Sequence, residues 1–174
     1  MKPIQFLDLC DHVTAVHPVE VHTDKIEHII EDINCDILYL DPPYTQNQYG
    51  TQYHLLETLI LDDEPTVSKV TGSRSTKEMR SDWSKIYKAH ILFDRVIANT
   101  SAKHIFLSYN NDGIMSREYI EAIMKRYGVG GTFECIKIPY KKYENWKSNN
   151  KKEHFEYVFA YKRKIFGMCF TNRH

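Results

Sequence analysis

Four apolar residues, Ile37-Leu38-Tyr39-Leu40, run directly into Asp41-Pro42-Pro43-Tyr44, and no other stretch constrains the fold as much. An uninterrupted apolar run of this kind predicts a strand covered on both faces, as in a sheet with crossover connections. Proline has no N–H to donate, fixes its own φ and keeps the residue before it out of the helical region. The double proline therefore ends the strand in extended backbone. Asp41 then stands at the carboxyl end of a buried strand, where open α/β sheets hold their ligands.

On either side, strands alternate with helices. Val19-Glu20-Val21-His22 alternates like a short strand, and Thr23 or Asp24 is placed to cap a helix carrying Ile26, Ile29, Ile30 and Ile33 at helical spacing. His54 to Leu61 reads as a short amphipathic helix that stops before Asp62-Asp63-Glu64-Pro65. Ser81 is expected to cap one long helix reaching Thr100, with Trp83, Ile86, Tyr87, Ile91, Phe93 and Ile97 as its apolar stripe. His104 to Tyr109 predicts a strand, Asn110 to Gly113 a turn, and Ser116 to Tyr127 a helix stopped by Gly128. Thr132 to Ile138 and Phe155 to Lys162 predict a closing antiparallel pair. The expected fold is α/β: a partial Rossmann-like sheet, mostly parallel with a final antiparallel strand pair, and helices on both faces.

At 174 residues the chain suits one domain. Its 23 basic and 23 acidic residues balance, which argues weakly against a protein that coats DNA. The basic residues nevertheless cluster: Lys141, Lys142, Lys147, Lys151 and Lys152 beside Tyr140, Tyr143 and Trp146, and Lys69, Arg74, Lys77 and Arg80 in a second group. Solvated loops are the ordinary meaning of such runs. No apolar run approaches the roughly 20 residues a membrane span needs, and MKPIQFLDLCDH lacks the apolar core of a signal peptide, so a cytoplasmic location without membrane contact is expected. Cys10, Cys35, Cys135 and Cys169 are scattered without a C-x-x-C pair, so neither a metal site nor a disulfide framework is expected.

Three polar clusters fall at predicted strand ends: Thr23-Asp24, Asp41-Pro42-Pro43-Tyr44 and Ser108-Tyr109-Asn110-Asn111. A parallel sheet would bring them to one rim. Asp41 offers a carboxylate, Pro42 a carbonyl without an accompanying N–H, and Tyr44 an aromatic face. Together they suit a planar base with an exocyclic amine, two acceptors for its hydrogens and a ring to stack on. A bare D-P-P-Y is as often only a turn, Asp24 is as readily a helix cap, and Ser108 and Asn110 are as readily turn formers.

The stretch DILYLDPPYTQNQYGTQYHLLETL resembles the D12 class of adenine-specific DNA methyltransferases, whose motif is Asp-Pro-Pro-Tyr followed by a loop and a Tyr-His-Leu-Leu helix. HIFLSYNNDGIMS, PYKKYENWKSNNKKEHFEYVFAYKR and, upstream, VEVHTDKIEHII extend the resemblance to about residues 19 to 164. It implies transfer of a methyl group from S-adenosylmethionine to N6 of an adenine flipped out of duplex DNA, without a metal, as in restriction-modification. It also implies site roles: Asp41, Pro42, Pro43 and Tyr44 as catalytic, Asp24 and Asp41 beside the cofactor, and Tyr44, Ser108, Asn110, Tyr140 and Tyr143 around the target base. Tyr140 and Tyr143 are as readily ordinary strand-end aromatics.

The family's Phe-x-Gly-x-Gly cofactor loop has no counterpart here. Gly128-Val129-Gly130-Gly131 is the one glycine cluster, and it follows a helix and leads into a late strand, as a helix stop does. Residues 1–18 are therefore expected to be a linker or a remnant of a recognition region, and 19–174 the catalytic portion of a methyltransferase domain. A truncated product, an isolated half and a split enzyme all fit that reading. Each would leave an apolar edge that favours a homodimer or a separate chain carrying the N-terminal half. The alternative is a degenerate module that keeps the fold and weak nucleic-acid binding without catalysis; RNA, cytosine N4 or a protein glutamine as substrate ranks below both.

Overall fold

The computed structural model describes residues 19–77, 79–140 and 153–164. β1 (Ile37–Leu40), β2 (His104–Asn110), β3 (Glu134–Tyr140) and β4 (His154–Lys162) form one sheet in the order β1-β2-β4-β3. β1 and β2 are parallel, whereas β4 runs antiparallel to both β2 and β3. The closing antiparallel pair is thus as expected. A mostly parallel sheet is not: β4 inserts beside β2, so only one of the described pairings is parallel.

Residues in register project to the same side of a sheet. Leu38, Ile105 and Tyr161 form one such row and Leu40, Leu107 and Phe159 the next, all buried. Against them pack Phe93, Val96 and Ile97 of α4 (Ile86–Asn99) and Ile120, Ile123 and Met124 of α5 (Arg117–Tyr127). Each of these larger side chains contributes about 1.5–3 kcal/mol of burial. The opposite side of the sheet carries Ile37, Tyr39, Ile136 and Ile138, which remain 60%, 62%, 55% and 45% exposed. Helices were expected on both faces; among the described residues the core is built on one.

Two further expectations are corrected. Val19 to His22 is not a strand: Val19 and Val21 are about 80% exposed, and no described strand pairs with them. Alternation alone cannot make a strand without a neighbour to complete its hydrogen bonds. The long helix from Ser81 is divided into a 3-10 turn, Asp82–Ser84, and α4, because Lys85 is extended at φ −109° and ψ 126°. Ser81 caps the short turn by accepting the Trp83 N–H at 3.2 Å. Of the expected stripe, Trp83, Phe93 and Ile97 are buried, with Ala89 and Val96 beside the last two, whereas Ile86, Tyr87 and Ile91 face outward.

Shorter helices complete the described chain: α1 (Ile26–Ile29) before β1, and α2 (Tyr49–Gln52) and α3 (His54–Leu61) after it. α3 occupies the segment expected for it, with Leu55, Leu56, Leu59 and Ile60 all more than half exposed.

Candidate active site

β1 delivers Asp41 to the carboxyl end of the sheet, and the two prolines carry the chain away as a turn. That turn is tied to the one following β2. The Tyr44 carbonyl accepts the Ile114 N–H at 2.8 Å and the Tyr109 hydroxyl at 3.4 Å. Tyr109, 1% exposed, also accepts the Met115 N–H at 3.1 Å, and its ring meets that of Tyr44 edge-on, with centroids 5.1 Å apart. Gly113 makes room for it: a Cβ there would lie 2.1 Å from Tyr109 Cε1.

A polar network lies under this turn. The Tyr44 hydroxyl lies 2.5 Å from Asp41 Oδ1, 2.8 Å from Glu156 Oε1 and 3.1 Å from Ser108 Oγ. Ser108 in turn donates to Glu156 Oε1 at 2.8 Å. Burial pushes the Tyr44 phenol well above its ordinary value, and its hydrogen bonds to the Asp41 and Glu156 carboxylates push it the same way, against a smaller opposing effect of Ser108. Tyr44 is therefore a neutral donor at any physiological pH.

On the other side of the prolines is a cleft of about 420 Å³, lined among others by Asp24, Glu27, Asp41, Pro42, Pro43 and Trp83. Trp83 donates its indole N–H to Glu27 Oε2 at 3.1 Å, and both residues are buried. Asp24 is exposed; its carboxylate accepts the Lys25 N–H at 2.6 Å and lies 3.2 Å from His28 Nδ1. The Lys25 N–H first, and His28 second, hold its carboxyl below the usual value. The cap position of α1 is Lys25, without a side-chain cap bond.

Asp24, Asp41, Pro42 and Pro43 are therefore brought together around one cleft, and Asp41, Tyr44 and Ser108 in one network. Asn110 Oδ1 accepts the Asp112 N–H at 3.1 Å and so shapes the turn. Tyr140 ends β3 opposite His154, while Tyr143 lies outside the described residues with the rest of the basic loop at 141–152. In the other basic group Arg74 grips Asp63 through two hydrogen bonds of 2.8 and 2.7 Å, which makes it a brace.

Glu156, Glu27 and Trp83 were not singled out from sequence as site residues, and Tyr109 was named only within the polar cluster at its strand end. One signal for Glu156 was available: it is a lone acid in the otherwise apolar and aromatic run Phe155 to Tyr161. Acidic residues are depleted from strands, so such a position calls for a partner.

A strand-end carboxylate, a rigid double proline, a locked phenol and a neighbouring cleft share one rim of this α/β sheet. Residues 9–123 match the D12 class N6 adenine-specific DNA methyltransferase family, and the chain belongs to that family. It is 38% identical over 144 residues to modification methylase StsI of Streptococcus sanguinis, an alignment covering 83% of this chain and 22% of that protein. It is 34% identical over 146 residues to type II methyltransferase M.FokI of Planomicrobium okeanokoites, covering 84% and 23%. With type II methyltransferase M.NlaIII of Neisseria lactamica the identity is 33% over 142 residues, covering 82% and 41%. The chain thus spans less than half the length of these relatives. No solved structure matches it.

Proposed function

We propose that this chain supplies the target-base side of a DNA methyltransferase that methylates adenine at N6. The observation that carries the reading is Asp41, set by β1 and the double proline between the 420 Å³ cleft and the Tyr44 turn. Asp41 and the Pro42 carbonyl accept the two amine hydrogens of a flipped adenine. These hydrogen bonds draw the nitrogen lone pair out of conjugation with the ring and aim it toward the cleft. The residues act by position and local electrostatics, since a carboxylate is far too weak a base to deprotonate a neutral aryl amine. Flipping costs a few kcal/mol, and the Tyr44 ring, with Tyr140 and Tyr143, recovers part of that by stacking. Ser108 supports Tyr44, and Asn110 holds the turn beside it.

The cleft suits an adenosyl group in its chemistry: Trp83, Pro42 and Pro43 offer apolar surface, and the exposed Asp24 carboxylate offers an acceptor. S-adenosylmethionine, bound there, supplies the methyl group. Asp24 holds the nucleoside portion, and Glu27 fixes the indole of Trp83 that forms the wall. The rest of the domain, whether in the same polypeptide, a second copy or a separate chain, is read as covering the exposed sheet face at Ile37, Tyr39, Ile136 and Ile138 and the apolar side chains of α3. DNA is the substrate partner and the cytoplasm its setting; no described helix is long and apolar enough to cross a membrane.

Product analysis tests this reading. Duplex DNA is incubated with radiolabelled S-adenosylmethionine and this chain joined by the remainder of a methyltransferase domain, then digested to nucleosides. Label in N6-methyl-2′-deoxyadenosine is expected; label confined to N4-methyl-2′-deoxycytidine would overturn the adenine assignment.

A further inference from the structure

Two carboxylates and two hydroxyls meet at Tyr44, and each hydroxyl brings one proton to donate. Ser108 spends its own on Glu156. The Tyr44 phenol has one proton and two carboxylates within hydrogen-bond distance, Asp41 at 2.5 Å and Glu156 at 2.8 Å. A hydroxyl donates to one acceptor at a time. When it donates to Asp41, it takes a lone pair of Oδ1 and weakens the carboxylate as an acceptor for an incoming amine; when it donates to Glu156, that acceptor strength is restored.

We infer that Glu156 is a positioning residue for the target base: it takes over the Tyr44 hydroxyl when an amine-bearing base enters, and so leaves Asp41 free to accept from the base. This rests on the reading of Asp41 as the amine acceptor and goes beyond it by giving Glu156 a part. β4 fixes Glu156 for that part, because Glu156 stands opposite Asn110 and its strand neighbour Val158 stands opposite Ser108. Its carboxylate is thereby aimed at the underside of the turn, with Ser108 donating to the same oxygen. The phenol stays protonated throughout, as its raised pKa requires. Without Glu156, the base would have to displace Tyr44 from Asp41 with no anionic acceptor to receive it. A charge-assisted hydrogen bond is roughly twice as strong as a neutral one, so a glutamine there would serve only in part.

The test uses the chain labelled with 13C at tyrosine Cζ, with the Tyr44 signal assigned by its loss in Tyr44→Phe. In the free chain, Asp41→Asn should leave Tyr44 bonded to Glu156, Glu156→Gln should leave it bonded to Asp41, and each should shift the signal. Adenosine and N6,N6-dimethyladenosine, which has no amine hydrogen, are then titrated at millimolar concentration. Adenosine affinity should fall about threefold or more in Glu156→Gln and further in Glu156→Ala, while dimethyladenosine affinity stays unchanged. Glu156→Gln is isosteric, and an unchanged amide spectrum of the core certifies its fold. A Tyr44 signal indifferent to both Glu156 variants would overturn the proposal, and so would an equal loss for the two nucleosides, which marks a structural role only. If the wild-type Tyr44 ignores adenosine yet responds to Asp41→Asn and Glu156→Gln, the base-site reading itself fails, and that result is distinct from the other two.

Discussion

Glu27→Ala tests whether the wall of the cleft is held as described. Glu27 and Trp83 are 7% and 6% exposed, and the 3.1 Å bond between them joins segments far apart in sequence. Removing the carboxylate leaves the indole N–H buried without its acceptor, a loss of about 1–3 kcal/mol for an unsatisfied buried donor. The one lost methylene adds to it, since a buried CH2 contributes about 0.8 kcal/mol. The expected total is therefore about 2–4 kcal/mol, a large share of the 5–15 kcal/mol typical of a domain. Glu27→Gln keeps an acceptor and similar bulk, so its loss should be about 1 kcal/mol. Urea unfolding followed by circular dichroism reads both, with the midpoint falling at constant slope. Trp83 emission, isolated in a Trp146→Phe background, should shift to the red in Glu27→Ala. A midpoint indistinguishable from wild type in Glu27→Ala would refute the argument.

Three other outcomes follow from the packing and charges. Phe93→Ala, at a 0% exposed core position, should cost about 3–5 kcal/mol in the same unfolding assay. Gly113→Ala should force Tyr109 from its place and cost about 1–3 kcal/mol, with the Tyr44 ring resonances displaced in NMR spectra. Asp82 is held by Lys85 first and Lys88 second, which brings its carboxyl from 3.8 down to about 2. A lowered folded-state pKa gives stability that is present above the unfolded value and lost as pH falls through the folded one. Asp82→Asn should therefore lower stability above about pH 4, near pH 7 included, by less than about 1 kcal/mol because the pair is largely solvated, and the difference from wild type should vanish as pH falls toward 2.

How much of this was legible in sequence depended on whether the signal was local. The Pro-Pro stop after Ile37–Leu40, the helix from Ser116 to Tyr127 with its stop at Gly128 and the β3–β4 pair are each set by neighbours in the chain, and the structure has them where expected. Apart from the break at Lys85, the failures are matters of partners distant in sequence. Val19 to His22 has the alternation of a strand but no described neighbour. β4 pairs with β2 as well as β3, and nothing in its own residues announces that insertion. α4 shows its period openly, yet its phase is set by which residues meet Leu38, Ile105 and Leu107 across the sheet. The site divides in the same way. Asp41 and its prolines could be read from one tetrapeptide, whereas Glu156 and Tyr109 acquire roles only when β2 and β4 bring them beneath Tyr44.

The most direct measurement is the rate of methyl transfer from radiolabelled S-adenosylmethionine to adenine N6 in duplex DNA, comparing wild type with Asp41→Ala. The chain is assayed together with the remainder of the methyltransferase domain. If Asp41 holds the amine, the variant should lose about 100-fold or more in rate, in line with the loss of a preorganised electrostatic contact, while its unfolding midpoint changes little because Asp41 is exposed. Label entering adenine at the wild-type rate in Asp41→Ala would contradict the account.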